Sequence, residues 1–406
     1  MIKILHTSDL HIGKRLYQAD LYEEQSLFFQ WLTDYIRDNQ IDALLVSGDV
    51  FDVANPSSES RRIYFELLRE LMVLQCKVII AGGNHDSPAV LEAPKELLRH
   101  LDIHVTGSLP EDISQLLVPV RNHQGNTELV VACIPYLRDA DLREYNQDET
   151  YDDRLEAVRK GISAIFHQAA AECAKQFPDV AAIAMGHLYV QGGDGSESER
   201  DIQVGNLAGL EVSHLPGYFR YYALGHLHKP QEAGERFVYS GSPVQLSFSE
   251  FANRNRVMLI AVDKDTVKHE SVAVPLNRRL IRMQGSVEQL REKLRSYQPD
   301  GRVLNDFIEL IAKEENHDPS KLLDLEKLLE EFQHEQATIL KYRIQFSNGP
   351  TGTASLYEET RNIAEMKPVD VFARRLEKEE LEEPVRDMLM DAFREIMQEV
   401  ELETEE

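Results

Sequence analysis

Cysteine, basic charge and long apolar runs are all scarce in this 406-residue chain. Cys76, Cys133 and Cys173 stand far apart, without metal or redox spacing. An odd, sparse count in apolar surroundings fits reduced core thiols of a cytoplasmic protein. No apolar run approaches the roughly 20 residues of a membrane span. A cleaved leader is not expected, because the first candidate metal ligand, Asp9, lies so near the start that cleavage would remove it. Nor is there a nucleotide-binding motif. The loop Gly192-Gly193-Asp194-Gly195-Ser196-Glu197-Ser198-Glu199 lacks the lysine of a phosphate-cradling loop and reads as a mobile connection.

Positive charge is the largest deficit: 44 Lys and Arg against 70 Asp and Glu, a net charge of −26. Residues 356–406 hold 17 acidic and 7 basic side chains, or −10 of that total, and leave −16 for the rest. Such a chain binds nucleic acid weakly alone, so metals or a basic partner must supply much of any attraction for phosphate.

Apolar strands that end in metal-binding residue types are abundant. Ile2-Lys3-Ile4-Leu5 reads as a buried strand running into His6-Thr7-Ser8-Asp9-Leu10-His11. Four further runs follow the same plan. Ile41 to Val46 leads into Ser47-Gly48-Asp49-Val50-Phe51-Asp52, and Lys77 to Ile80 into Ala81-Gly82-Gly83-Asn84-His85-Asp86. Val180 to Met185 leads into Gly186-His187, and Tyr221 to Leu224 into Gly225-His226-Leu227-His228. A glycine lets the backbone turn closely, and an Asp, Asn or His follows. Open α/β sheets place ligands at the carboxyl ends of their strands. An extended backbone would turn Asp9 and His11 to the same side. One such junction describes many strand ends; five in one chain make a site. Carboxylate, amide oxygen and imidazole together suit hard and borderline divalent metals.

The ordered set Asp-x-His, Gly-Asp-x-x-Asp, Gly-Asn-His-Asp, Gly-His and Gly-His-x-His resembles the calcineurin-like metallophosphoesterase superfamily. Within it, His6 to Gly13, Gly48 to Asp52 and Tyr239-Ser240-Gly241-Ser242-Pro243-Val244-Gln245-Leu246-Ser247-Phe248 resemble the SbcD branch of bacterial nuclease subunits. The resemblance is strong over the first two thirds of the chain. It implies an α/β fold, a two-sheet α/β sandwich, with one metal on Asp9, His11, Asp49 and His228. A second metal would sit on Asp49, Asn84, His187 and His226, Asp49 bridging. A bridge between two dications suits a carboxylate, and neutral Asn and His leave the pair electropositive enough to hold a phosphodiester. Mn²⁺ suits this mixed oxygen and nitrogen set better than Mg²⁺. His85 is expected to face the scissile phosphate, as a proton donor or transition-state stabiliser. Asp52, where some relatives carry histidine, is expected to orient His85 or to support the ligands. Lys14, Arg15 and Lys229 directly follow metal motifs and are candidates to touch a DNA backbone.

Strands mixed with helices throughout divide the chain into residues 1–275, a metallophosphoesterase domain; 276–347, a small α+β capping domain that would bind DNA; and 348–406, a linker and two amphipathic helices. Val385, Met388, Leu389, Ala392, Phe393, Ile396, Met397 and Val400 recur at helical spacing, and Val369, Phe372 and Leu376 suggest a shorter helix before them. Such stripes need burial, against the capping domain or in a partner.

The function so implied is that of a Mn²⁺-dependent DNA exonuclease and endonuclease. It would act on single- and double-stranded DNA as a homodimer beside a long coiled-coil, SbcC-like ATPase, with no membrane association. A phosphomonoesterase or cyclic-nucleotide phosphodiesterase with the same metal pair is the alternative. A scaffold without activity would have lost ligands, and every ligand position is intact.

Overall fold

A computed structural model describes residues 1–122, 124–142, 151–193, 209–264, 266–316 and 318–348. The linker and helical stripes read from 349 onward lie outside these residues, as does most of the glycine-rich loop after His187. Two six-stranded sheets dominate. The first is ordered Thr266–Ala273, Arg256–Asp263, Ile2–Thr7, Ala43–Ser47, Lys77–Ala81, Ile103–Thr106, and the last four strands run parallel. The second is ordered Gln231–Glu232, Phe237–Tyr239, Tyr222–Gly225, Ala181–His187, Thr127–Cys133, Leu117–Arg121, with four parallel strands at its centre.

Alternation within the strands explains why their sequences are continuously apolar. Side chains point to opposite faces at period two, and here both faces are covered. Ile4, Leu45, Ile79, Val131, Ile183, Met185 and Ala223 meet in one layer between the sheets. On the opposite face, Leu5, Leu44, Val46, Val78 and Ile80 pack with Phe28, Leu32, Leu67 and Leu71 of helices Tyr22–Asn39 and Ser58–Val73. Val130, Ala132, Ala182, Ala184 and Leu224 pack likewise with Val158, Ile162 and Phe166 of helix Tyr151–Gln176. The expected two-sheet α/β sandwich is found.

Two short helices, Pro88–Glu92 and Lys95–Arg99, follow the third motif. Pro94 lies between them and has no N–H to carry the helix on. The structure also has a tight hairpin, Arg15–Leu16 with Ala19–Asp20, that no sequence periodicity announces.

The chain divides into two compact units. One comprises Met1–Arg282, Pro299–Glu309 and His334–Leu340; the other comprises Met283–Gln298, Leu310–Gln333 and the described residues from Lys341. The first holds both large sheets. In the second, helix Val287–Arg295 starts at a capping box of Ser286 and Gln289, and helix Pro319–Glu331 is capped by Asp318. The ion pairs Lys321–Glu288 (2.7 Å) and Arg291–Glu331 and the edge-on rings of Tyr297 and Phe332 tie these helices together.

His6 lies fully buried, its Nδ1 3.1 Å from the Tyr221 hydroxyl. Burial pushes its pKa down to about 3. The unfolded chain takes up this proton below pH ~6.5, whereas the native chain refuses it until far lower pH. Stability therefore falls as the pH drops through that window, by roughly 2 kcal/mol at pH 5 from this residue alone. His6→Gln is expected to lose that increment, read as the difference between variant and wild-type urea midpoints at pH 7 and pH 5. Equal shifts in the two proteins would mean that native His6 takes up its proton as readily as the unfolded chain does.

Candidate metal centre

All five motif loops meet at the carboxyl ends of the central strands. Asp9 N–H donates to the Gly48 carbonyl (3.1 Å), His11 N–H to that of Asp49 (3.0 Å) and Ile12 N–H to that of Val50 (2.9 Å), so the first two loops run side by side. Asp9 and His11 are not extended as the spacing alone suggests. Their φ angles are +52° and +43°, with Asp49 at +49° and His226 at +97°. Left-handed backbone at non-glycine residues is costly and persists where surrounding bonds over-determine it. The glycines are required by close approach. A Cβ at Gly48 would lie 2.0 Å from His187 Nδ1, one at Gly83 2.1 Å from Asp49 Oδ1, and one at Gly225 1.8 Å from the Ser47 oxygen.

The seven expected ligands converge, and all but Asn84, which is half-buried, are buried. Asp9, His11 and His228 present ligand atoms within 4.8 Å of one another, as do Asp9, Asp49 and His187. Asn84 Oδ1 lies 2.8 Å from His187 Nε2 and 3.2 Å from His226 Nδ1. Asp49 Oδ2 is central, 3.3 Å from His187 Nε2 and 3.5 Å from His11 Nε2.

Hydrogen bonds behind the rings set their tautomers. His187 Nδ1–H donates to the Ser47 carbonyl (2.9 Å), which turns Nε2 inward. His11 Nδ1 lies 3.1 Å from Asp52 Oδ1, and His228 Nδ1 lies 3.2 Å from Glu250 Oε1. With both protons on Nδ1, the Nε2 atoms of His11 and His228 face each other at 3.1 Å. Two lone pairs pointed together in a buried space call for a cation between them. His226 Nε2, buried without a hydrogen-bond partner, is consistent with this demand.

Electrostatics repeats it. Burial works to raise the Asp49 pKa, but His187, His11 and His85 hold it well below the usual carboxylate range. Against burial, Asp49 first and then Asp9 push His187 up to about 9, so in the metal-free chain an imidazolium supplies the missing positive charge. His226, lowered to about 3 by burial and then by His187, stays neutral and able to ligate. The donor set fits two divalent cations.

His85 is buried beside this set, its ring edge-on to His11 at 4.7 Å between centroids. Its Nδ1–H donates to the backbone carbonyl of Asp52 (2.7 Å) and its N–H to Asp49 Oδ1 (2.9 Å). Asp52 therefore holds His85 through its main chain. Its carboxylate goes instead to His11 and to Lys14 Nζ (3.0 Å), which keep it ionised despite burial. Of the basic candidates for DNA contact, Lys14 is engaged by Asp52 and Arg15 by the Gln18 carbonyl (3.1 Å).

Three supporting residues were not anticipated. Asp86 accepts N–H bonds from Val50 (3.1 Å), Phe51 (2.9 Å) and Gly83 (2.9 Å), locking two motif loops together. Burial and then the Asp49 charge push its pKa up to about 6. Gln25 reaches the carbonyls of Leu10 (3.2 Å) and His11 (2.6 Å) and accepts from Gly13 N–H (3.3 Å), holding the first loop. Glu250 backs His228. Only the position of Asp86, inside a motif already read, offered a signal.

The chain belongs to the calcineurin-like phosphoesterase family, whose model matches residues 2–230. It is 29% identical to the SbcD subunit of nuclease SbcCD from Escherichia coli strain K12 over 409 residues, 97% of each chain. It is 35% identical to the same subunit of Rhodobacter capsulatus and 34% to that of Bacillus subtilis, in each case over 64% of this chain and 66% of the relative. Among the described residues no helix is long and apolar enough to cross a membrane.

Proposed function

We propose that this chain is the nuclease subunit of an SbcCD-type complex, a Mn²⁺-dependent phosphodiesterase that cuts single- and double-stranded DNA. The carrying observation is that the similarity to the Escherichia coli SbcD subunit runs along 97% of both chains, far past the family's metal motifs. One metal would be held by Asp9, His11, Asp49 and His228, and the other by Asp49, Asn84, His187 and His226. When bound, such a pair polarises the phosphoryl oxygens, supplies a water of lowered pKa and stabilises the leaving oxygen.

The chain's own side chains do the rest. Asp9 and Asp49 supply the charge that holds the cations, and Asn84 and the histidines add neutral donors. The Asp52 carbonyl holds the Nδ1 proton of His85, so that it is Nε2 of the imidazolium that would give a proton to a leaving oxygen or stabilise developing charge. The Asp52 carboxylate fixes His11. Residues 276–347 act as a DNA-binding cap, and the apolar stripes within 348–406 dock to a coiled-coil ATPase that supplies ATP hydrolysis and basic surface. The complex is cytoplasmic and contains two copies of this chain.

A circular single-stranded DNA and p-nitrophenyl phosphate, each offered with Mn²⁺, test the reading. The circle, which has no ends, is expected to be cut, with poor turnover of the monoester. Rapid monoester hydrolysis with an intact circle would make the protein a phosphomonoesterase of the same family.

A further inference from the structure

Tyr239 to Phe248, which carries part of the resemblance to the SbcD branch, contains none of the proposed metal ligands. In the structure its first residues lie against the proposed ligands of the first metal. Ser240 Oγ lies 2.9 Å from Ser8 Oγ, which donates to Asp9 Oδ2 (2.5 Å). Ser242 N–H donates to the His228 carbonyl (3.0 Å). Gly241, at φ +76°, lets the chain pass there, since a Cβ would sit 2.6 Å from that carbonyl. Two residues past Phe248, Glu250 turns back on a 3₁₀ turn and places Oε1 against His228 Nδ1.

Glu250 is 1% exposed and held on several sides. Its Oε2 accepts Leu246 N–H (2.9 Å), and Gln245 Nε2 donates to its carbonyl (3.1 Å). Buried Val244, Leu246 and Phe248 anchor the segment in the helix-covered core. A carboxylate this deep needs its donors, and one of them is the His228 ring.

We infer that residues 240–250 form a positioning cradle for the first metal, in which Glu250 sets the tautomer and orientation of His228 while Ser240, through Ser8, steadies Asp9. The inference rests on the metal pair proposed above. Histidine ligands are ordinarily oriented by a carboxylate on their other nitrogen, which also makes them more basic donors. The first metal thus depends on a segment outside the five motifs, whereas the second takes its ring orientation from the Ser47 carbonyl behind His187.

Mn²⁺ titrated calorimetrically into the metal-stripped full-length chain tests this. Wild type should bind two ions, and failure to do so would overturn the metal pair itself. In Glu250→Gln, an amide must meet two N–H donors with one oxygen, so one of the bonds to His228 and Leu246 is lost. One site is then expected to weaken roughly 10–100-fold, the usual effect of losing a ligand's supporting partner, with the other unchanged and the thermal melt still cooperative. Two sites of wild-type affinity, or equal weakening of both, would overturn the cradle. Ser240→Ala, which removes a single oxygen, covers the case in which Glu250→Gln does not fold. It should weaken the same site severalfold, and an unchanged titration would overturn the inference.

Discussion

Asp49→Ala is expected to abolish phosphodiester hydrolysis and the pairing of two metal ions together. Its Oδ2 lies 3.5 Å from His11 Nε2 and 3.3 Å from His187 Nε2, one from each proposed ligand set, and is thereby placed to serve both. Loss of the several kcal/mol that a metal pair supplies to the transition state corresponds to at least about a thousandfold in kcat/KM. The same substitution removes the acceptor for His85 N–H. Asp49→Asn separates the two effects, since an amide oxygen keeps that bond and discards the charge. It should restore the position of His85 without restoring activity. Calorimetry with Mn²⁺ reads the first outcome directly, and two tightly held ions in Asp49→Ala would place the bridge elsewhere.

His85→Ala should leave both metals and DNA affinity near wild type and lower turnover by about 10²–10⁴, the range of a single acid–base group. The reasoning is geometric. His85 is bound through Nδ1 to a main-chain carbonyl and through its own N–H to Asp49, and the ligand sets close without it. A group that acts only in the transition state alters kcat and leaves ground-state binding alone. Its ring nitrogen does lie within reach of His11 and Asp52, a grouping that could itself hold a cation. Metal occupancy that falls along with turnover would therefore make His85 a ligand and sink the assignment.

Much of this site was legible in the chain before any coordinate. A buried parallel strand must be apolar on both faces, and its carboxyl end must release the chain through a turn. Five apolar runs ending in Gly, Asp, Asn or His therefore mark five neighbouring strand ends. The glycines could be read too, because only a missing Cβ tolerates the approach of His187 to Gly48 or of Ser47 to Gly225.

Other features have no local signature. The left-handed conformations of Asp9, His11 and Asp49 could not be read from residue type, since they are imposed by hydrogen bonds to loops about forty residues away. Asp52, expected to orient His85 or to support the ligands, meets His11 with its carboxylate and holds His85 with its carbonyl, and that main-chain contact carries no sequence code. Gln25, Asp86 and Glu250 support the ligands across separations of 14, 36 and 22 residues. Their roles depend on which buried donor each one meets. The sequence by itself determined the strands, the sandwich and which residues are the candidate metal donors, because periodicity and turn chemistry are local. Tertiary structure alone decided which nitrogen each histidine turns inward and what holds it there, because a buried hydrogen bond is chosen by whatever the rest of the fold brings within 3 Å.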